Sequence, residues 1–168
     1  MHIGCTVLCE PLENQEIVSS MIRLAEVRDE PDIRDCAEQA YAPYVAMIGR
    51  KPAPMVADYL GQIRAGVVYV ATDDAANFQG FIVFYAQEGH VLLENVAVLP
   101  SAAGRGVGKA LIRFCERTAR QQGMNAVRLY TNEKMTANLT IYPSLGYVRV
   151  ANRLEEGFKR VYFEKRLN

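Results

Sequence analysis

The stretch LLENVAVLPSAAGRGVGKALIRFCERTARQQ, from Leu92 to Gln122, reads as a strand, a turn and a helix. Leu92 to Leu99 is apolar and valine-rich, as a buried strand requires. Pro100 and Ser101 end it, and Gly104, Gly106 and Gly108 follow in alternation. From Val107 the apolar residues Val107, Ala110, Leu111, Phe114, Cys115 and Ala119 form one helical stripe. Arg105, Lys109, Arg113, Glu116, Arg117 and Arg120 are expected on the other sides.

Alternate glycines ahead of a helix let backbone N–H groups approach an anion closely, and the helix N-terminus adds unpaired donors and partial positive charge. Arg105 and Lys109 are placed to add full charges, so a pyrophosphate fits the pattern. A ligand-free turn satisfies the spacing equally. A phosphate-binding loop of the G-x-x-x-x-G-K-[ST] type fails at Ala103 and at Ala110, the metal-ligand position. A dinucleotide G-x-G-x-x-G from Gly104 fails at Lys109. What remains, Ala103-Gly104-Arg105-Gly106-Val107-Gly108 after a strand, resembles the acyl-coenzyme A loop [QR]-x-x-G-x-[GA] of the GNAT superfamily of N-acetyltransferases. Ala103 stands in place of the leading Gln or Arg. A second motif, NLTIYPSLGYV from Asn138 to Val148, resembles that superfamily's helix ending in L-Y-x-x-x-G-[FY], through Tyr142, Leu145, Gly146 and Tyr147. Asn138 replaces the usual alanine, and Pro143 follows the tyrosine directly.

Composition narrows the alternatives. A chain of 168 residues is one domain by length. Nineteen basic and nineteen acidic side chains balance, which gives no electrostatic case for nucleic acid. No apolar run reaches membrane-spanning length, and no signal-peptide pattern opens the chain. Cys5 and Cys9 fall in the N-terminal segment, Cys36 and Cys115 on apolar helical stripes, and no metal-like C-x-x-C occurs. His2 and His90 offer no Cys–His or Ser–His pair. The class expected is a soluble cytoplasmic α/β protein without a metal.

Residues 1–20 lack the periodicity that begins at Met21. They read as an extension, from a start codon placed early or as an arm packing on a partner subunit; the domain is expected over 21–168, and a homodimer is left open. A strand opens at Met21–Val27. Asp32 caps a helix carrying Ile33, Cys36, Ala37, Ala40 and Tyr44, which Pro43 is expected to break. Pro54 begins a second helix with Val56, Tyr59, Leu60 and Ile63 inward, stopped by Gly66. Strands follow at Val67–Thr72, Phe78–Gln87 and His90–Leu99, the last two a hairpin. After the glycine-loop helix come a strand at Ala126–Thr131, a helix at Lys134–Leu145, and a hairpin of Val148–Arg153 with Phe158–Lys165. This order is similar to that of the GNAT superfamily across about Met21 to Leu167. The fold expected is α/β of the α+β kind: a mixed, largely antiparallel central sheet flanked by helices, in a single domain.

The resemblance implies a donor, an acceptor and roles. The acetyl thioester of acetyl-CoA would lie between two splayed central strands, its amides paired with the backbone of Val96, Ala97 and Val98. Its diphosphate would sit on Gly104, Arg105, Gly106, Val107, Gly108 and Lys109. An amine would attack directly, with no covalent enzyme intermediate. Glu94, a carboxylate on a buried strand, is the candidate base; otherwise it accepts hydrogen bonds from a neighbouring strand or Arg128. Asn95 is expected on the opposite face. Tyr142 is the candidate acid for the leaving thiolate, against a plain core tyrosine. Asn138, one turn before it, and Asn132 are candidates for the cofactor arm. Tyr41, Tyr44, Arg50 and Lys51 sit where an acceptor pocket is expected. A non-catalytic acyl-coenzyme A-binding or sensing module would keep the glycine loop without needing Glu94 and Tyr142.

Overall fold

The computed structural model describes residues 20–168. The chain runs β1 (Met21–Leu24), α1 (Glu30–Ile48), α2 (Tyr59–Arg64), β2 (Val68–Thr72), β3 (Phe78–Gln87), β4 (His90–Val98), α3 (Val107–Gln121), β5 (Ala126–Asn132), α4 (Thr136–Ser144), β6 (Val148–Glu155) and β7 (Phe158–Arg166). The seven strands form one sheet in the order β1-β2-β3-β4-β5-β7-β6. Every neighbouring pair is antiparallel except β4–β5, so the sheet is mixed and largely antiparallel, as expected. Most of the proposed N-terminal extension, residues 1–19, lies outside the described residues.

Two cores sandwich the sheet. On one face Val107, Leu111, Ile112, Cys115 and Ala119 of α3 join Leu93, Val96, Val127, Leu129, Tyr142 and Phe163. On the other, Ile33, Cys36, Ala37, Ala40 and Tyr41 of α1 and Tyr59 and Ile63 of α2 pack on Val68, Val70, Phe81, Val83 and Ala97. Strands β2 and β3 alternate between them, the period-2 pattern of a sheet covered on both sides.

Several local expectations are corrected. The first strand ends at Leu24, because Val27 begins a short 3-10 turn. Helix α1 starts at Glu30 with Pro31 in its first turn, and its N-cap position is Asp29, not Asp32. Pro43 does not break it. Tyr44 and Ile48 beyond the proline pack against the second core, which holds the last turn in line, and Gly49 at φ 85° closes the helix with its N–H on the Val45 carbonyl. Pro54 lies in a separate 3-10 turn, and α2 starts only at Tyr59, capped by the Asp58 side chain on the Gly61 N–H. Val56 consequently points outward, 66% exposed.

Glu116 also departs from expectation: it is buried on α3. Its carboxylate accepts from Tyr147 Oη at 3.1 Å and Lys165 Nζ at 3.0 Å. A buried carboxylate is tolerated when paired and hydrogen-bonded, and this one ties α3 to β7 and to the segment leaving α4.

The feature that positions the site is a split in the middle of the sheet. Strands β4 and β5 pair only at Val91 with Val127 and Leu92 with Arg128. Beyond Leu92, β4 continues on β3 as far as Val98, and β5 continues on β7 as far as Asn132. A wedge opens between them, and its β4 edge leads into the glycine loop.

Candidate active site

The wedge begins at an irregularity in β4. Pairing with β3 runs Val83 to Asn95 and then Phe84 to Leu93, which leaves Glu94 as an extra residue. Leu93 and Val96, three residues apart, therefore both face the α3 core. Glu94 and Asn95 both reach the α1–α2 side, contrary to the opposite facing that regular alternation predicts. One strand thus presents two neighbouring polar side chains to one cleft.

Asn95 is locked from below. Tyr41 Oη donates to its Oδ1 at 2.6 Å, and its Nδ2 donates to Tyr59 Oη at 3.1 Å. Tyr59 Oη in turn donates to the Pro54 carbonyl. This buried chain links α1, α2 and the loop between them to the β4 bulge. We expect Asn95→Leu, which removes both side-chain hydrogen bonds at a buried position, to cost about 1–3 kcal/mol. Thermal and urea denaturation measure it; an unchanged transition would mean that the chain does not fix the bulge.

Glu94 is 6% exposed. Gln62 Nε2 of α2 donates to its Oε2 at 2.6 Å, and Tyr85 Oη of β3 approaches Oε1 at 3.4 Å. Burial raises the carboxyl above its ordinary pKa, and the hydrogen bonds from Gln62 and Tyr85 partly oppose this. The Tyr85 phenol is itself pushed up to about 12, by burial and then by the Glu94 charge, so it stays a donor. Arg128 does not reach Glu94; its Nε is on Glu164 at 2.6 Å. The neighbouring-strand partner is Tyr85.

Beside Glu94 lies a cleft of about 300 Å³ between the α1–α2 loop and the bulge. Pro54, Val56 and Ala57 supply an apolar wall, and Asp58, Gln62, Glu94 and Asn95 the polar part. Gln62 and Tyr85 were not legible as site residues. A glutamine on a six-residue helix and a tyrosine on a strand carry no local signal, and only the register around the bulge brings them to Glu94.

On the other side of the bulge the β4 edge carries Val96, Ala97 and Val98, facing the wedge where β5 has turned away. Gly80 of β3 lies against them: a Cβ there would sit 2.6 Å from the Ala97 carbonyl oxygen. The loop follows. Gly104 and Gly106 adopt φ 76° and 81°, conformations that favour glycine, and a Cβ at either would meet nothing within 4 Å. Among the described residues the turn therefore keeps room beside its backbone at Gly106, with Val107 and Gly108 buried at the start of α3 and Arg105 and Lys109 exposed around it.

Across the wedge, Asn132 ends β5 and accepts the Lys134 N–H at 2.9 Å. Asn138 is fully buried, and its Nδ2 donates to Thr131 Oγ1 at 2.9 Å; this bond holds α4 against the end of β5. Tyr142 is fully buried, its ring 5.9 Å from Tyr147 and 5.7 Å from Phe163. Pro143 falls in the last turn of α4, which closes on the Ile141 and Tyr142 carbonyls, so the helix reaches past Tyr142 intact. Of the expected pocket residues, Tyr41 lies under the bulge and Tyr44 is half-buried on α1. Lys51 is exposed. The Arg50 guanidinium sits 3.5 Å over the Phe158 ring and donates to the Glu156 carbonyl, tying the α1–α2 loop to the β6–β7 turn.

Cys36 and Cys115 are buried free thiols whose pKa burial raises, and His90 opens β4 with its Nδ1 3.0 Å from the Glu88 carbonyl. No Cys–His pair forms among the described residues. Among those residues no helix is long and apolar enough to cross a membrane.

Comparison with known proteins agrees with this geometry. The profile of the acetyltransferase (GNAT) domain matches residues 64–149, 86 of the 168. A mycothiol acetyltransferase of Renibacterium salmoninarum is 32% identical over 81 residues, 46% of this chain and 24% of that protein, so the match spans about a quarter of the relative. Among solved structures, PaiA N-acetyltransferase of Thermoplasma acidophilum, in complex with coenzyme A, aligns with a TM-score of 0.73 at 18% identity, covering 88% of this chain and 99% of that one. The ribosomal-protein-S18-alanine N-acetyltransferase of Escherichia coli aligns at 0.69 and 16%, covering 89% and 94%. Both likenesses are of fold.

Proposed function

The chain belongs to the acetyltransferase (GNAT) domain family, and from that premise we propose that it moves an acetyl group from acetyl-CoA directly to a primary amine in the cytoplasm. The observation that carries this is the continuity of the wedge: one strand, β4, holds at Val96–Val98 a backbone edge that β5 does not pair, leads into the glycine turn, and carries a bulge that aims Glu94 into a separate cleft. Donor and acceptor can approach from two sides of one strand.

The residues fit acetyl-CoA. Positive-φ glycines leave space for a diphosphate against backbone N–H groups, and Arg105 and Lys109 flank it. The likeness to a coenzyme A complex supports the same placement. When bound, acetyl-CoA supplies an activated acyl group. Asn132 and Asn138 line the α4 side of our reading; Asn138 acts chiefly by holding α4 to Thr131.

The chain's own task concerns the amine proton. An alkylamine of pKa about 10.4 is about one part in a few thousand free base at neutral pH, so exposing its lone pair costs about 4–5 kcal/mol. In our reading Glu94 takes that proton. It lies in the cleft and is oriented by Gln62, and its raised pKa makes it a stronger base than an ordinary carboxylate. Tyr142 gives a proton to the departing thiolate from the opposite wall.

The first test is ligand-dependent melting. A ligand at a hundredfold excess over Kd adds about 2.7 kcal/mol, which is about 5–10 °C for a domain of this size. Acetyl-CoA should give this shift, and Mg²⁺-ATP should not. Gly106→Val puts a β-branched residue at φ 81° in the glycine turn, so the protein should melt lower and lose the shift. No shift with millimolar acetyl-CoA, or an equal one with ATP, would overturn the reading. Release of free thiol on adding an amine separates an enzyme from a sensing module.

A further inference from the structure

Gln62 has two ends with different fates. Its Nε2 donates to Glu94 Oε2 at 2.6 Å, which fixes the amide orientation, because only the NH₂ group can face a carboxylate as donor. Its Oε1 is thereby turned away. It is buried and has no hydrogen-bond partner among the described residues, although Gln62 lines the cleft. A buried acceptor without a donor carries a desolvation cost, and a bound N–H relieves it.

Glu94 and Gln62 both line the cleft, and between them they hold two acceptors, the carboxylate and the buried amide carbonyl. A primary amine has enough N–H bonds to serve both. The wall of Pro54, Val56 and Ala57 suits an alkyl chain, and Asp58 adds a second negative charge. Among the described residues that line it, none is basic. The nearby guanidiniums are committed elsewhere: Arg50 to Phe158 and the Glu156 carbonyl, Arg34 to Glu30 at 2.6 Å, and Arg160 to Glu155 at 2.8 Å. A carboxylate brought in with the amine would meet like charge and, among the described lining residues, no cationic partner.

Resting on the amine-acetylating reading above, we infer that the acceptor is an aliphatic primary amine with no carboxylate on the carbon bearing the nitrogen, selected by the Gln62–Glu94 acceptor pair and by a lining that, among the described residues, carries carboxylates and no basic side chain. Free α-amino acids are rejected on charge.

Three matched probes test this: pentylamine; norleucine, which is pentylamine with a carboxylate on the nitrogen-bearing carbon; and norleucinamide, which keeps the bulk and removes the charge. Binding is measured by calorimetric titration and turnover by release of free thiol from acetyl-CoA. Pentylamine should bind about tenfold or more tightly than norleucine, and norleucinamide should regain most of the difference. Gln62→Leu should weaken pentylamine several-fold, and Val56→Arg, at an exposed position on the cleft wall, should shift preference toward norleucine. Equal binding of norleucine and pentylamine overturns the inference, as does norleucinamide binding as poorly as norleucine, or no binding of pentylamine at millimolar concentration. The expected order of binding with no thiol release from any probe would leave the cleft assignment standing and overturn acetyl transfer instead.

Discussion

Glu94→Gln should slow acetylation of an accepted amine by about 10²–10⁴-fold near neutral pH, and the loss should shrink as pH approaches the amine's own pKa and free base accumulates in solution. The same substitution should leave the protein as stable or more stable at pH 7. The sign follows from the environment of the carboxyl. Burial raises its folded pKa above the unfolded value, so the stability it contributes is fully present below the unfolded pKa and is lost as pH rises through the folded one. At pH 7 the wild-type protein holds a desolvated charge that glutamine lacks. Below the ordinary carboxylate range both proteins are neutral at this position, and their melting temperatures should converge. Activity and stability thus move in opposite directions at neutral pH. A pH-independent loss of rate together with a lower melting temperature would make Glu94 a structural acceptor for Gln62 and Tyr85, not a base.

Tyr142→Phe should lower turnover by about 10²–10⁴-fold at every pH at which the phenol is protonated, with little change in acetyl-CoA affinity. The ring packs against Tyr147 and Phe163, and phenylalanine preserves those contacts, so a loss of rate reports the hydroxyl alone. The measurements are kcat and the acetyl-CoA Kd across the pH range of activity. A silent substitution would show that solvent protonates the thiolate and that Tyr142 serves the core. Combining the two variants tests whether they act together: losses that fall well short of adding would show Glu94 and Tyr142 working as one unit.

The frame of this site was legible because its signals are local. The valine-rich run before Pro100, the alternate glycines and the stripe from Val107 lie within one stretch, and the structure starts α3 at Val107 as read. Tyr142 was accessible through motif spacing. What escaped depends on contacts distant in sequence. Glu116 looked like a surface residue because the Lys165 that neutralises it is 49 positions away. Gln62 meets Glu94 across 32 positions. Pro43 should end a helix by local rules, yet packing of the residues after it prevails. The facing of Asn95 was misread for a sharper reason. Alternation fixes which side of a strand a residue faces only while the ladder is regular, and nothing in LLENVAV marks where a residue is skipped.

That skipped residue has a consequence for how this strand can change over generations. Deleting Glu94 would join the two registers on either side of it, Phe84 with Leu93 and Val83 with Asn95, into one uninterrupted ladder. Leu93 and Val96 would keep their places in the core with one residue between them. The shorter chain satisfies the sheet better than the longer one, so folding alone offers no reason to retain the extra residue. If Glu94 is kept for the base role proposed above, a lineage released from that role would be free to lose it by a single in-frame codon deletion, and a strand of eight residues here, in place of nine, would mark a descendant that has kept the architecture without that carboxylate.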